Sequence, residues 1–312
     1  VTDLFFRSDT LSSALLSIAA SLGENVDNLV EEGWFKVSSF LPVVHKGSGW
    51  CVFYPVPDAF KEALAQKVGQ KQVKNFVFAD DEFLKCVIRG QAELRGQVLV
   101  KGKKLTLLDL ANKDSEGKVQ AVVNVRMGLA VDRLTGGPIE DMLFEVGDII
   151  PDPSLRVCII ADVESKRLQQ FERYLRILGM SGIGSSKSRG RGQFEVLVSQ
   201  KFDPPDLGSG AHLLLSLWHP TKEEFSNGFM AQSFYRLIPR GGFVTKAPYM
   251  TLRRNRVTMV REGSIIKGVQ PRGHWLVALG KGEAMNIPYA VYRDGRALSI
   301  PISPPRSLRG AP

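Results

Sequence analysis

The sequence predicts an α+β protein of two successive units, the first interrupted by a β-rich insertion. Three observations carry this. An amphipathic helix precedes strand runs rich in β-branched and aromatic residues. From about 90 to 150 the pattern gives way to short strands among glycines and charges. It then resumes as strand, helix and strand, before a proline- and glycine-rich linker and a second unit. The 312 residues suit two domains of roughly 150 each. With 44% hydrophobic and 23% charged residues, the composition is that of a globular chain.

Each element has a local cause. Leu11, Ala14, Leu15, Ile18, Ala19 and Leu22 recur at helical spacing. Ser8 is expected to cap this first helix, Asp9 to suit its positive end and Gly23 to close it. Strands are expected at Trp34 to Val44 and Trp50 to Val56, split by a turn at His45–Gly49. The insertion shows strand-like runs at Gln97–Val100, Val119–Val131 and Met142–Val146, read as an extended β-hairpin with a modest core of its own. Leu155 to Val163 is apolar enough for a buried central strand. The next helix places Leu168, Phe171, Leu175 and Leu178 inside and stops at Gly179. A strand at Gln193–Ser199 follows. Phe202 to Gly210 reads as the linker, Leu213–Trp218 as a new strand, and Thr221 with Glu224 as a capping box. Leu4-Phe5-Phe6 is expected to end a first strand, which would complete a βαββαβ, ferredoxin-like unit. The expected domains are 1–203, with the hairpin at about 90–150 and a glycine-rich loop at 181–192, a linker at 204–210, and 211–312.

Composition excludes several classes. Lys and Arg outnumber Asp and Glu by 41 to 32, a formal net charge of +9 that suits a polyanionic partner. No apolar run approaches the ~20 residues of a membrane span, and no N-terminal stretch reads as a secretory signal. The three cysteines are too scattered for a disulfide framework or a zinc motif, which suits the reducing cytoplasm. The four histidines lack metal-ligand spacing, and no GxSxG elbow occurs. Asp80-Asp81-Glu82 could hold Mg²⁺, but reads more simply as a helix start. His45, beside a turn, could serve as a base on a ribose hydroxyl, and reads more simply as structural.

Two segments point to RNA. In Gly182, Gly184, Ser185, Ser186, Lys187, Ser188, Arg189, Gly190, Arg191 and Gly192, glycines free the backbone amides to converge on an anion, while cations and hydroxyls add donors. The loop follows a helix and precedes a strand, the reverse of a phosphate-binding P-loop, and its spacing differs too. From Phe225 to Arg261 there is no Asp or Glu, while Arg236, Arg240, Lys246, Arg253, Arg254, Arg256 and Arg261 interleave with aromatics. Cations for phosphates and rings for bases are the means of binding single-stranded RNA. A third stretch, Asn124 to Gly137, sets Arg126, Asp132, Arg133 and Thr135 on a strand ending in a Gly-Gly turn.

An ordered series of motifs resembles one known family along nearly the whole chain. The series comprises Ser8-Asp-Thr-Leu-Ser-Ser-Ala-Leu15, Val37-Ser-Ser-Phe-Leu-Pro42, Val52-Phe-Tyr-Pro-Val-Pro57 and Val131-Asp-Arg-Leu-Thr-Gly136. It continues with Leu178-Gly-Met-Ser-Gly-Ile-Gly184, Ser188-Arg-Gly-Arg-Gly-Gln-Phe-Glu195, Leu214-Leu-Ser-Leu-Trp-His-Pro-Thr221, Arg240-Gly-Gly-Phe243 and Glu262-Gly-Ser264. The chain resembles the RAMP subunits that cap the crRNA 5′ end in type III-A CRISPR Csm effector complexes, the fourth Csm subunit family. One departure is Arg7, where many members have His.

The resemblance implies two ferredoxin-like (RRM-like, RAMP) domains with an inserted β-hairpin thumb that kinks the RNA. It implies no nuclease activity and no cofactor. The implied partners are the repeat-derived 5′ tag of the crRNA, the large polymerase/cyclase-like subunit and a backbone RAMP subunit. The glycine-rich loop would contact the tag, with Arg126 and Arg133 near the thumb, and Arg240 and Lys246 in the basic second domain. The alternative on such a fold is a metal-independent crRNA-processing endoribonuclease. A nucleotide-binding enzyme built on the glycine loop is disfavoured by the order of its elements.

Overall fold

The computed structural model describes residues 5–46, 49–91, 93–102, 104–111, 119–132, 134–184 and 186–304. Helices α1 (Ser8–Ser21) and α2 (Val26–Glu32) come first. Strands β1 (Phe35–Val37), β2 (Leu41–Lys46), β3 (Gly49–Val52) and β4 (Tyr54–Pro55) follow. Then come α3 (Asp58–Val68), α4 (Gln70–Val73), β5 (Phe76–Ala79) and α5 (Asp81–Arg89). A meander continues through β6 (Gln97–Lys101), β7 (Lys104–Asp109), β8 (Val119–Val131) and β9 (Pro138–Pro151). β10 (Leu155–Cys158), β11 (Ala161–Val163) and α6 (Leu168–Ser181) complete the first half.

The expected long strands at 34–44 and 155–163 do face each other, antiparallel, but each is broken once. Phe35 to Val37 pair with Val163 to Ala161, and Leu41 to Val44 with Cys158 to Leu155, so the register slips by one residue between them. The extra residue lies in Val37-Ser-Ser-Phe-Leu41, where the backbone departs from the ladder as at a bulge. Ser38 repairs the break: its N–H donates to the Ile160 carbonyl at 2.8 Å, and its hydroxyl accepts from the Ile160 N–H at 2.9 Å. Ser39 N–H donates to the Leu215 carbonyl, and Ser39 Oγ accepts from Ser8 N–H at 3.0 Å. Ser8 is therefore the first residue of α1 and not its cap. It is buried, and its hydroxyl accepts from Leu217 N–H at 2.9 Å.

α1 and α6 pack together on this ladder through Leu11, Leu15, Ala19, Phe171, Tyr174, Leu175 and Leu178, with Trp34, Phe35 and Val37 below. Two details of α6 differ from expectation. It runs on through Gly179 to Ser181, and Leu168 is exposed at its start, ahead of the buried stripe. The expected strand at 193–199 forms no ladder. The segment runs along a cleft of about 2320 Å³ with Leu197 and Val198 exposed, anchored by Phe194 N–H on the Gly179 carbonyl. Of the expected first strand, Leu4 lies outside the described residues, and the Phe6 carbonyl accepts from Phe40 N–H. Three helices were not expected from the sequence: α2, capped by the Asn25 side chain, α3, which starts after Pro57, and the short α4 behind it.

Between the two halves of the ladder, residues 45–154 form β3 and a six-stranded antiparallel meander in the order β4-β5-β6-β7-β8-β9, with α3 to α5 packed alongside. The meander does not keep a core to itself. Tyr54, Phe60, Phe76, Phe83 and Val98 belong to one buried cluster with Leu213, Leu215, Ile265, Ile300 and Ile302 of the second half. That corrects the expectation of a separate modest core.

The second half contains β12 (Ala211–Leu214), α7 (Lys222–Ser226), β13 (Leu237–Arg240), β14 (Val257–Val260), β15 (Ile265–Ile266), β16 (Trp275–Leu279), β17 (Val291–Asp294) and β18 (Ser299–Ile302). β12 lies between β15 and β18, while β13–β14 and β16–β17 are antiparallel pairs. The Thr221–Glu224 capping box forms as expected, and Glu224 also accepts from the Arg272 and Gly273 amides. The linker is pinned by buried Leu207, whose carbonyl accepts from Ser303 N–H at 2.8 Å. No helix among the described residues is long and apolar enough to cross a membrane.

Candidate nucleic-acid interface

β8 and β9 pair over most of their length, from Ala121 opposite Pro151 to Val131 opposite Pro138, and form a long, largely exposed ribbon. Strand alternation gives it two unlike faces. One carries Val123, Val125, Met127, Leu129 and Val131, opposite Ile149, Gly147, Glu145, Leu143 and Pro138. Apart from Glu145 this face is apolar, and it is largely unburied; Met127 is 62% and Leu143 64% exposed. The other face carries Asn124, Arg126 and Gly128 opposite Asp148, Val146 and Phe144. The tip is closed by Asp132, whose carboxylate accepts from Leu134 N–H at 2.7 Å and Thr135 N–H at 3.4 Å.

The glycine-rich loop meets the base of this ribbon. Arg126 Nε lies 2.8 Å from Asp148 Oδ2, on the diagonal that antiparallel pairing brings within reach. Arg191 Nη2 lies 3.2 Å from the same oxygen. One carboxylate thus joins two of the expected RNA-binding arginines and leaves a net positive charge where ribbon and loop touch. Asp148 was missed in the sequence, although an acid inside the apolar run Val146-Gly-Asp-Ile-Ile150 was the available signal.

The loop is wound on itself rather than opened as a cradle. Ile183 N–H donates to the Gly192 carbonyl, Arg189 N–H to Ser186, Gly190 N–H to Lys187, and Arg191 N–H to Ser186. These amides are committed within the loop, so the expectation that consecutive N–H groups converge on an anion is corrected for them. A short 3₁₀ turn over Lys187–Arg189 carries the charge outward instead. Gly182, Gly184, Gly190 and Gly192 all have positive φ. At Gly192 a Cβ would lie 1.9 Å from the Ile183 carbonyl oxygen, so only glycine lets the loop close. Lys187 and Arg189 are exposed, and among the described residues neither has an acidic partner. Ser186 is half-buried. Ser185, the Ser188 side chain and Arg133 lie outside the described residues.

The second basic stretch behaves differently. Arg240 donates through Nε and Nη2 to Asp9 at 3.0 and 2.8 Å, and through Nη2 to Thr10 at 3.0 Å. Arg293, itself 1% exposed, also pairs with Asp9. Burial alone would raise the Asp9 carboxyl, but the hydrogen bond and charge of Arg240, with Arg293, outweigh it and hold Asp9 below its usual value. Arg236 pairs with Asp58, and Arg261 Nε lies 3.8 Å from Glu262. The acids missing from the stretch are supplied by other parts of the chain. Lys246 is exposed, with its ammonium 5.4 Å from the Tyr289 ring centroid. Among the described residues, no hydrogen bond or ion pair joins Arg240 or Lys246 to the glycine loop. Phe229 is core, packed on Trp218, whereas Phe243 is exposed under the Arg253 guanidinium.

The other candidates for chemistry are placed as follows. Asp80 caps α5 and accepts from Phe83 and Gln97 amides. His45 stands edge-on to Trp50, its cross-strand neighbour, at 5.0 Å. Among the described residues no group of three or more His, Cys, Asp or Glu converges as a metal site.

Comparisons with known proteins agree with this architecture. Residues 208–302 match the family model of the CRISPR Csm4 C-terminal domain. The chain is similar to a solved structure of the Csm3–Csm4 subcomplex of the type III-A CRISPR-Cas interference complex, at 16% identity and a TM-score of 0.62, covering 96% of this chain and 94% of that one. It is similar to the Csm1–Csm4 cassette in complex with cA4, at 16% identity and a TM-score of 0.57, covering 98% and 96%. The cassette in complex with AMPPNP gives 18% identity and a TM-score of 0.56, covering 96% and 92%. No curated protein matches the chain. Residues 208–302 thus match a Csm4 C-terminal domain, set in a fold shared along nearly the whole chain with these CRISPR structures.

Proposed function

We propose that the chain is a non-catalytic RNA-binding subunit of a type III CRISPR effector complex, and that it caps the repeat-derived 5′ tag of the crRNA. One observation carries the reading: Arg126 of the ribbon and Arg191 of the glycine loop converge on Asp148. This sets Lys187 and Arg189, without acidic partners among the described residues, beside a long exposed hairpin. Cations there neutralise phosphates, and the apolar side chains of the ribbon wedge against bases splayed from the strand. The ribbon acts as a thumb that kinks the RNA at the tag–guide boundary.

The two-unit, ferredoxin-like reading is supported by α1 and α6 sharing one core on the antiparallel ladder of residues 35–44 and 155–163. The relatives described as Csm3–Csm4 and Csm1–Csm4 assemblies support two protein partners, a backbone RAMP subunit and the large polymerase/cyclase-like subunit. The edge-on packing of His45 against Trp50 supports a structural rather than a catalytic histidine.

The test is fluorescence anisotropy with a tagged and a scrambled single-stranded RNA across a salt series, with the same samples run on a gel. Tag-selective binding that weakens with salt by a log–log slope of about −0.7 per phosphate, with intact RNA, is the expected result. Equal weak binding to both RNAs, or cleaved RNA, refutes the proposal.

A further inference from the structure

The turn between β17 and β18 ties the two halves of the chain together, and two histidines close on it. Asp294 accepts from the Ser12 hydroxyl of α1 at 2.9 Å. Arg296 donates to the Gly33 carbonyl at 2.9 Å and to the Phe35 carbonyl at 2.6 Å. Between them, Gly295 is held from both sides. Its carbonyl accepts from His219 N–H at 2.8 Å, and its N–H donates to the His274 carbonyl at 3.1 Å. A Cβ on Gly295 would lie 2.7 Å from His219 Cβ and 2.9 Å from the His274 carbonyl oxygen, so only glycine lets these segments meet. The His219 and His274 rings stand edge-on, their centroids 5.1 Å apart. Nδ1 of each ring is buried and has no hydrogen-bond partner among the described residues.

We infer that His219 and His274 form an acid-sensitive latch: while both rings are uncharged they clamp the Gly295 turn, and protonation releases it and loosens the junction of the two halves. An imidazolium carries a proton on both nitrogens. Charging either ring therefore leaves a buried Nδ1–H donor with no acceptor, which is costly. A second charge would stand only 5.1 Å from the first, ring centre to ring centre, and be repelled. The two rings thus take up protons as a coupled pair. Burial, then repulsion from His274, holds the His219 imidazole below its usual value, against a weaker opposing contact with the Pro220 backbone. The neighbouring charges do not offset this. Glu224 is spent on the Thr221, Arg272 and Gly273 amides, and Asp294 on Arg296. Lys222 and Glu223 of α7 and Arg272 are exposed, where solvent screens them. Folded His219 takes up its proton at lower pH than the unfolded chain does. The latch is therefore fully closed above the ordinary histidine value, near 6.5, and is lost as pH falls below it.

Hydrogen exchange of the full chain, followed by NMR from about pH 7.5 to about pH 5.5 and expressed as protection factors, reads the latch at two amides, His219 and Gly295. Both are expected to lose about tenfold in protection over this range, while the amides of α6 keep theirs. His219→Phe combined with His274→Phe abolishes the loss, and His45→Phe leaves it unchanged. In the same samples the His219 ring is expected to titrate below the ordinary value, and His274→Phe to move its midpoint upward.

Protection that stays constant across the range overturns the latch. A loss that persists in the double variant also overturns it, because other groups then carry the acid response. A His219 midpoint at or above the ordinary value, read in the unchanged protein, overturns it without any substitution. Equal loss across α6 means that acid unfolds the whole chain, and refutes release at this turn.

Discussion

The loop at 182–192 and the stretch at 225–261 carry the same mixture of cations, glycines and polar groups, and the fold uses them in opposite ways. In the loop, Lys187 and Arg189 are lifted into solvent by a 3₁₀ turn and have no acidic partner among the described residues. In the later stretch Arg236 and Arg240 are tied to Asp58 and Asp9, acids far away in sequence. A run without acids is therefore not a run of free charge. What decides is whether an acid arrives in space, and at what burial. A buried guanidinium without its carboxylate is expensive, while an exposed one is nearly neutral for stability.

The sharpest way to break this contrast is to remove Asp9. Asp9→Ala leaves Arg240, Arg254 and Arg293 without a counter-charge, and is expected to cost about 3–5 kcal/mol, read by chemical denaturation. Lys187→Ala with Arg189→Ala should leave stability within about 0.5 kcal/mol while weakening RNA binding. Comparable destabilisation by the two changes would erase the distinction.

A smaller effect is expected inside the loop. Gly192→Ala forces a side chain at φ +72° into the Ile183 carbonyl. A strained backbone of this kind costs about 1–3 kcal/mol. Faster protease cleavage between 182 and 192, with the rest of the chain resistant, would show that the loss is local. Unchanged cleavage would mean that the loop closes without its glycine.

Acid gives a graded version of the first test. The Asp9 carboxyl is held below its ordinary value in the folded chain, so its stabilising contribution is complete above that ordinary value, near 3.8, and is lost as pH falls through the lower folded value. Stability measured downward from pH 5 should therefore drop less steeply in Asp9→Asn than in the unchanged protein. Parallel curves would show that other carboxylates control the acid limb.

The smallest change is expected at Asp148. Both arginines on it are about half exposed, so the pairs are worth about 0–1 kcal/mol, and Asp148→Asn should barely alter unfolding. It should instead raise RNA affinity by freeing Arg126 and Arg191, a gain that disappears at high salt. Loss of affinity would show that the clamp orders the loop rather than restrains its charge.

Local signals were legible. The apolar stripe of α1, the Thr221–Glu224 capping box, the β2–β3 pairing and the Val119–Val131 strand each rest on residues a few positions apart. What escaped the sequence depends on distant chain. Ser8 looks like a helix cap until Ser39 and Leu217 compete for it. Gln193–Ser199 has strand composition but finds no ladder partner. The meander appears self-contained until Phe83 and Val98 are found in one cluster with Leu213 and Ile300. At the candidate interface the cations were legible and their distribution was not, because Asp148 and Asp9 lie 43 and 231 residues from the arginines that they hold.

The Asp9–Arg293 contact spans 284 residues of chain. On the ribosome, α1 is made long before β13 and β17, so its buried carboxylate lacks Arg240 and then Arg293 until each strand has been made. The helix is thus secured late, and the growing chain carries an incomplete core, open to non-native association, for much of its synthesis.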